Sequence, residues 1–297
     1  MSGKLKEVRE RIKSVISTQQ ITKAMKVVSA AKLRKAQQAI TEMRPYAKRL
    51  DRILKNILSN IDGDATTSFG IERDVQRAAI VVITSNRGLA GAFNTNIIKS
   101  AIAKIEADYT QLLAEGKLEI ICIGKKGFDV LRKRYGIQNF NTEYVNLFAD
   151  LSFENVSRVS GYLMDKFEAG QIDRVDVCYS QFKNAAVQIP TTVQYLPVEK
   201  IVPTEGSTTS KADYIFEPDK FTLLEHLIPT ILHTNFLKFV LDNHACEHGA
   251  RMTAMDKATE NAEEMLKSLK ISYNKARQEA ITKELSEIVG GAAALGG

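Results

Sequence analysis

Apolar residues recur every three or four positions along the first sixty residues. Leu5, Val8, Ile12 and Val15 open the series; Leu33, Ala36, Ile40 and Met43 resume it, and Ala47, Leu50, Leu54, Ile57 and Ile61 carry it on. This sustained heptad spacing predicts one long helix over residues 4–61. In the middle the same register meets Gln19, Thr22, Lys26 and Ser29, while the apolar residues shift to Ile21, Ala24, Met25 and Val28. The shift predicts a stripe that drifts around the helix, so that no single straight partner covers it. Pro45 is expected to bend the helix or to divide it.

The period then changes. "AAIVVIT" (78–84) and "LEIICIG" (118–124) read as buried strands, and the segment between them as an amphipathic helix ending at Gly116. Short helices are expected around residues 127–135 and 153–169. "RVDVCYSQF" (174–182) and "VQIPTTVQYLPV" (187–198) alternate like the arms of a hairpin, with Pro190 placing the second arm at a sheet edge. Strands alternating with helices predict an α/β domain over residues 74–200.

"PTEGSTTSKAD" (203–213) is a polar linker, and from Phe221 to Val289 the chain reads as helix again. Met255, Ala258, Ala262, Met265 and Leu269 form a second stripe, extended by Ala276 and Ala280; Pro229 marks an expected kink near the start. At about 1.5 Å per residue the two terminal helices would be on the order of 85 and 100 Å long. The middle domain is too small to bury stripes of that length, so the helices are expected to pair as an antiparallel coiled coil. The predicted organisation is a coil helix at 1–61, an α/β domain at 74–200 and a second coil helix at 214–290.

Charge sharpens this picture. Residues 1–60 hold 15 Lys/Arg against 4 Asp/Glu, a net of +11, while the rest of the chain carries −5. A basic helix faces something acidic: nucleic acid, a lipid surface or an acidic protein loop. The absence of Trp and an aromatic content of 7% give little support to base stacking. No apolar run approaches the roughly 20 residues that span a bilayer. Cys122, Cys178 and Cys246 are an odd number without a close pair, which predicts free thiols.

Candidate chemistry is sparse. "TSNRGLAGAFN" (84–94) follows a strand and leads into a helix, the place where α/β proteins often hold phosphate. Its Gly88 and Gly91 make only G-x-x-G, as does "GKKG" at 124–127, without the Lys-Ser/Thr of a P-loop or the third glycine of a dinucleotide loop. "HACEH" puts His244 and His248 four apart on one helix face, a spacing able to hold zinc, but no third ligand stands out and a surface helix is the expected reading. No spacing suggests a catalytic constellation, a cofactor site or a metal site. Two other function classes fit parts of the chain: a Rossmann-type nucleotide-binding enzyme with helical extensions, and a basic coiled-coil nucleic-acid-binding protein.

The two ends carry the most specific signal. "RIKSVISTQQITKAMKVVSAAKLRKAQ" (11–37) and "RMTAMDKATENAEEMLKSLKISYNKARQEAITKELSEIVGGAAAL" (251–295) resemble the gamma subunit family of the F-type ATP synthases, and "TSNRGLAGAFN" resembles that family's loop after the first strand of its globular domain. The family's usual loop reads S-D-R-G-L-C-G; Asn86 and Ala90 stand here in place of the Asp and the Cys. The inserted segment of photosynthetic members, which carries a cysteine pair in the chloroplast form, has no counterpart.

The resemblance implies an antiparallel shaft on a Rossmann-like foot, a loop at 84–94 that is a tight turn without nucleotide, and no cofactor. It implies a non-catalytic rotor, one copy per complex, peripheral to the cytoplasmic face of a bacterial inner membrane. The implied partners are the alpha and beta subunits of the catalytic hexamer, the epsilon subunit and the membrane c-ring, with no nucleic acid. By family position the contacts to catalytic subunits are Met25, Lys26, Arg251, Arg277, Gln278, Thr282 and Glu284, with Met25 placed near Arg251 and Gln278, and Tyr214 touches the ring or the epsilon subunit. The basic stretch Lys23, Lys26, Lys32, Arg34 and Lys35 suits an acidic lever loop on a catalytic subunit.

Overall fold

The computed structural model describes residues 3–59, 68–198 and 220–295. Two helices dominate the chain, α1 (Gly3–Ser59) and α6 (Lys220–Leu295). Between them lie β1 (Ala78–Ile83), α2 (Phe93–Asp108), α3 (Thr110–Ala114), β2 (Leu118–Ile123), α4 (Lys125–Tyr135), β3 (Phe140–Asn141), α5 (Phe153–Glu168), β4 (Arg174–Phe182) and β5 (Gln188–Leu196). The chain divides into two compact units: Met1–Ala30 with Arg251–Gly297, and Ala31–Ala250.

The larger unit is built on a five-stranded sheet of order β3-β2-β1-β4-β5. β3, β2, β1 and β4 run parallel, and β5 returns antiparallel along β4 at the edge, where Pro190 is tolerated. β3 is only two residues long, and the sequence pattern did not announce it. β1 shows why the sheet is stable. Ala79, Val81 and Ile83 pack with α5 and with residues 228–240 of α6, while Ala78, Ile80 and Val82 pack with α2 and α4. Both faces of the strand are covered, so its six residues are fully apolar instead of alternating. Each such aliphatic side chain contributes about 1.5–3 kcal/mol on burial. α5 begins at Ser152, whose hydroxyl accepts from the Asn155 amide, and the three cysteines are free and buried.

The smaller unit is an antiparallel helix pair. Thr22 meets Thr259 across it (Oγ to Oγ, 2.8 Å), Arg9 donates to the Tyr273 hydroxyl (3.0 Å) and Lys4 to Glu279 (3.2 Å). The expected fold class is therefore present: the α/β sheet and antiparallel terminal helices read from the pattern, with the Rossmann-like order that the resemblance implied.

Three details differ from the pattern-based reading. The stripe on α1 does not drift: Gln19, Thr22, Lys26 and Ser29 stay on the covered side in register with Leu5 and Leu33, while Ile21 is 57% exposed and Val28 55%. Thr22 and Ser29 bond carbonyls of their own helix (Gln19, 3.0 Å; Met25, 2.7 Å), and Thr22 and Lys26 also meet Thr259 and Asp256 of the facing helix. On α6 the buried residue is Leu266, and Met265 is exposed, so the spacing at that turn is four and not three. Of the two outcomes expected at Pro45, division of the helix is the one that does not occur: Pro45 lies inside α1, as Pro229 lies inside α6. A helix covered along one side retains enough hydrogen bonds to tolerate the missing donor.

Candidate functional site

The loop after β1 sits where the strand order reverses, between β1 and β4, the usual ligand crevice of such sheets. Its polar groups are spent on its own geometry. The Ser85 amide donates to Asn94 Oδ1 (2.9 Å), Ser85 Oγ to the Arg87 carbonyl (2.6 Å), and Asn86 Oδ1 accepts from the Lys125 amide (3.1 Å). Leu89 and Gly91 take positive φ, 62° and 57°, which closes the turn. The second G-x-x-G serves the same packing. The Gly127 amide donates to Thr84 Oγ1 (2.9 Å), and Gly124, at φ 101°, lies so near that a Cβ would fall 2.4 Å from the Thr84 carbonyl oxygen. The end of β4 is covered by α6: the Ser180 amide donates to Asn243 Oδ1 (3.1 Å), and Cys246 Sγ donates to the Ser180 carbonyl (3.3 Å). The opening is thus a tight turn backed by a helix.

The expected surface helix at "HACEH" is corrected by the structure. Glu247 and His248 are buried, His244 stacks on Phe148 (5.8 Å), and the two imidazole Nε2 atoms are 3.0 Å apart. At that distance one ring donates to the other. Among the described residues no cluster of three metal-ligating side chains occurs.

Burial shuts down the thiols. It pushes Cys122 and Cys178 each up to about 12, far above the range in which a thiolate forms. A buried polar centre that sequence reasoning missed is Asp176 on β4, which accepts from the Tyr109 hydroxyl and lies 3.3 Å from Lys104 and 3.5 Å from Arg174. A carboxylate between Val175 and Val177 in β4 was its only signal. The surrounding donors satisfy the carboxylate, and burial raises the Tyr109 hydroxyl well above its usual range.

The residues expected to act sit mostly on the helix pair. Met25 is half-buried and Lys26 is paired with Asp256. Arg251 is buried; Arg277, Gln278, Thr282 and Glu284 are exposed. Gln278 and Thr282 line one shallow groove with Lys275, Glu279, Lys283 and Ser286, and Tyr214 lies outside the described residues. The neighbourhood expected for Met25 holds only in part. Lys26 is level with Asp256, one turn from Arg251, whereas Gln278 lies 22 residues further on, about 33 Å along the helix.

Beyond Glu279 the helix has no described partner strand or helix level with it, since α1 begins at Gly3 and Lys4 is level with Glu279. Every residue from 281 to 292 is exposed, and Ile281, Leu285, Ile288 and Val289 repeat an apolar face there. Together with Ile16, Ile21, Val27 and Val28 they give a helix pair whose outer surface is richer in apolar groups than parts of its seam.

A Rossmann-like sheet whose β1 loop is a tight turn, joined in sequence to a long antiparallel helix pair with apolar side chains turned outward, defines the class of this protein. The family model described as ATP synthase matches residues 4–295. The ATP synthase gamma chain of Cytophaga hutchinsonii is 53% identical over 292 residues, covering 98% of both chains, and that of Flavobacterium psychrophilum is 52% identical over 99% of both. Among solved structures, a chain of the Euglena gracilis mitochondrial ATP synthase (OSCP/F1/c-ring) aligns with a TM-score of 0.66 at 21% identity, covering 99% of this chain and 95% of that one, and so shares the fold. The chain belongs to the ATP synthase gamma-chain family, the central-stalk rotor subunits of that complex.

Proposed function

We propose that the helix pair turns inside the hexamer of alpha and beta subunits and that this chain performs no catalysis itself. The larger unit would rest on the membrane c-ring and the epsilon subunit, at the cytoplasmic face of a bacterial inner membrane. No described helix is long and apolar enough to cross a membrane, which fits a peripheral place. The observation that carries the reading is the outward apolar surface of the pair, from Ile21 and Val28 to Ile288 and Val289. In water such a surface is unfavourable; inside an enclosing sleeve it is buried without fixed polar contacts, so it can slide. Polar and charged side chains at Met25's level and near Arg277, Gln278, Thr282 and Glu284 would then bond a catalytic-subunit loop in one orientation and release it in the next. Each orientation favours a different conformation of each catalytic subunit, and that difference couples rotation to nucleotide affinity. The exposed Lys23, Lys32, Arg34 and Lys35 suit an acidic loop; Lys26 already holds Asp256.

Met25→Lys tests this in the assembled complex. A new charge-assisted bond to an acidic loop is worth about 1.5–3 kcal/mol and would hold one orientation too well. The expected complex assembles, hydrolyses ATP and pumps ions poorly per ATP consumed. Recovery on changing Arg251 would act locally, whereas recovery on changing Gln278 would act through the surrounding subunits. Failure to assemble, or pumping at full efficiency, would show that Met25 is only packing.

A further inference from the structure

The middle of the helix pair is built inside out. Thr22 and Ser29 are buried in the seam, Thr22 bonded to Thr259, and Lys26 is paired with Asp256. Ile21 and Val28 point outward on the same two turns. Ile21, Met25 and Val28 have the 4-3 spacing of a seam, and so do Gln19, Thr22, Lys26 and Ser29 at 3-4-3. The same stretch of α1 therefore carries two complete stripes, one polar and one apolar, about one residue apart around the helix. Hydrophobic burial favours the apolar stripe; the structure adopts the polar one. Two things distinguish them: Thr22 and Ser29 bond carbonyls of their own helix, at Gln19 and Met25, and the facing helix offers Thr259 and Asp256 to the polar stripe alone.

We infer that Thr22–Thr259 and Lys26–Asp256 form a register lock that holds residues 18–29 of α1 against a second, apolar register of the coil. Thr22 is buried, and a buried polar position that selects one pairing at some cost in stability is a known device of coiled coils; the Lys26–Asp256 pair adds to it from the half-exposed flank of the seam. Turning to the second register would need local overwinding before residue 21 and compensating unwinding after residue 28, because Leu5, Val8, Ile12 and Val15 on one side and Leu33 and Ala36 on the other keep the common phase. Such a change would bring Ile21, Met25 and Val28 inward and turn Lys26 out. The lock thus decides which side chains the coil shows to whatever surrounds it. It does not depend on the rotor reading, and its test uses the isolated full-length chain.

Two pairs of introduced cysteines read the register. Gln19→Cys with Ala262→Cys reports the observed one, since both positions lie in the seam; Ile21→Cys with Ala262→Cys reports the other, since Ile21 points outward. The natural cysteines are buried and remote from these positions in the chain. With the lock intact, mild oxidation should close the 19–262 bridge and leave 21–262 open. Asp256→Lys sets two like charges against each other and should raise the ratio of 21–262 to 19–262 closure by about two- to fivefold, the scale of one such pair. Lys26→Asp together with Asp256→Lys should return the ratio to its original value. Adding Val28→Ser to Asp256→Lys removes part of the competing stripe and should also lower it. Circular dichroism confirms that each variant keeps its helix content. A ratio unmoved by Asp256→Lys would overturn the inference. So would loss of both bridges, which means an opened coil, or a shift that the reciprocal charge swap fails to reverse.

Discussion

β1 and the helix pair solve the same problem with different means. Val82 and Ile80 have no exposed surface, because α2 and α4 cover one face of the sheet while α5 and α6 cover the other. In the pair, Leu266 is buried yet its neighbour Met265 is 47% exposed, because one helix can shield only one stripe of another. A strand between two helical layers has nowhere left to bind. A two-helix coil leaves most of its circumference open, and here that open surface holds much of the apolar content. The sheet's residues are accounted for by folding; the coil's outer residues are covered by nothing among the described residues.

The largest expected difference between the two is in local opening. Amides of β1 and β2 should exchange about a thousandfold more slowly than those of residues 3–30 and 255–292 in the isolated chain. Equal, strong protection throughout would mean that the coil is self-sufficient and would remove the need for a sleeve.

Next comes Gly124→Ala. Its φ of 101° and the 2.4 Å approach to the Thr84 carbonyl leave no room for a methyl group. The larger unit should lose about 3 kcal/mol or more in denaturant unfolding, with the helicity of the pair retained.

A smaller effect is pH-dependent. Burial pushes the Asp242 carboxyl up to about 6, with Lys238 and Arg44 partly opposing the shift. A carboxyl raised above its unfolded value makes ionisation unfavourable to folding. Stability is therefore full below about pH 4, falls as pH rises towards 6 and stays reduced above it. Asp242→Asn should stabilise the larger unit by about 2 kcal/mol at pH 7.5 and by nothing at pH 4, measured as unfolding midpoints at the two values.

The smallest effect concerns the α6 seam. Leu266→Ala should cost the pair about 1–2 kcal/mol, less than a full core leucine, because the site is covered from one side. Met265→Ala should change stability by under about 0.5 kcal/mol. Equal losses would restore the seam that the sequence spacing suggested.

Local pattern alone revealed the long helices and four of the five strands; it missed the two-residue β3 and the break between α2 and α3. The β1 and β2 runs are too apolar for any half-exposed setting, Pro190 can sit only at an edge, and helices of this length need a partner of similar length. It also revealed the family, through the two chain ends. Tertiary structure alone decided which stripe of α1 faces inward between residues 18 and 29. The reason is that Thr22 and Lys26 become acceptable in a seam only when Thr259 and Asp256 stand opposite, and those lie more than two hundred residues away. It likewise decided that Gly124 and Gly127 serve Thr84, that "HACEH" lies inside, and that Met25 and Gln278 are far apart on the coil. Each of these depends on what one element meets on another, and periodicity within a single segment carries no information about that.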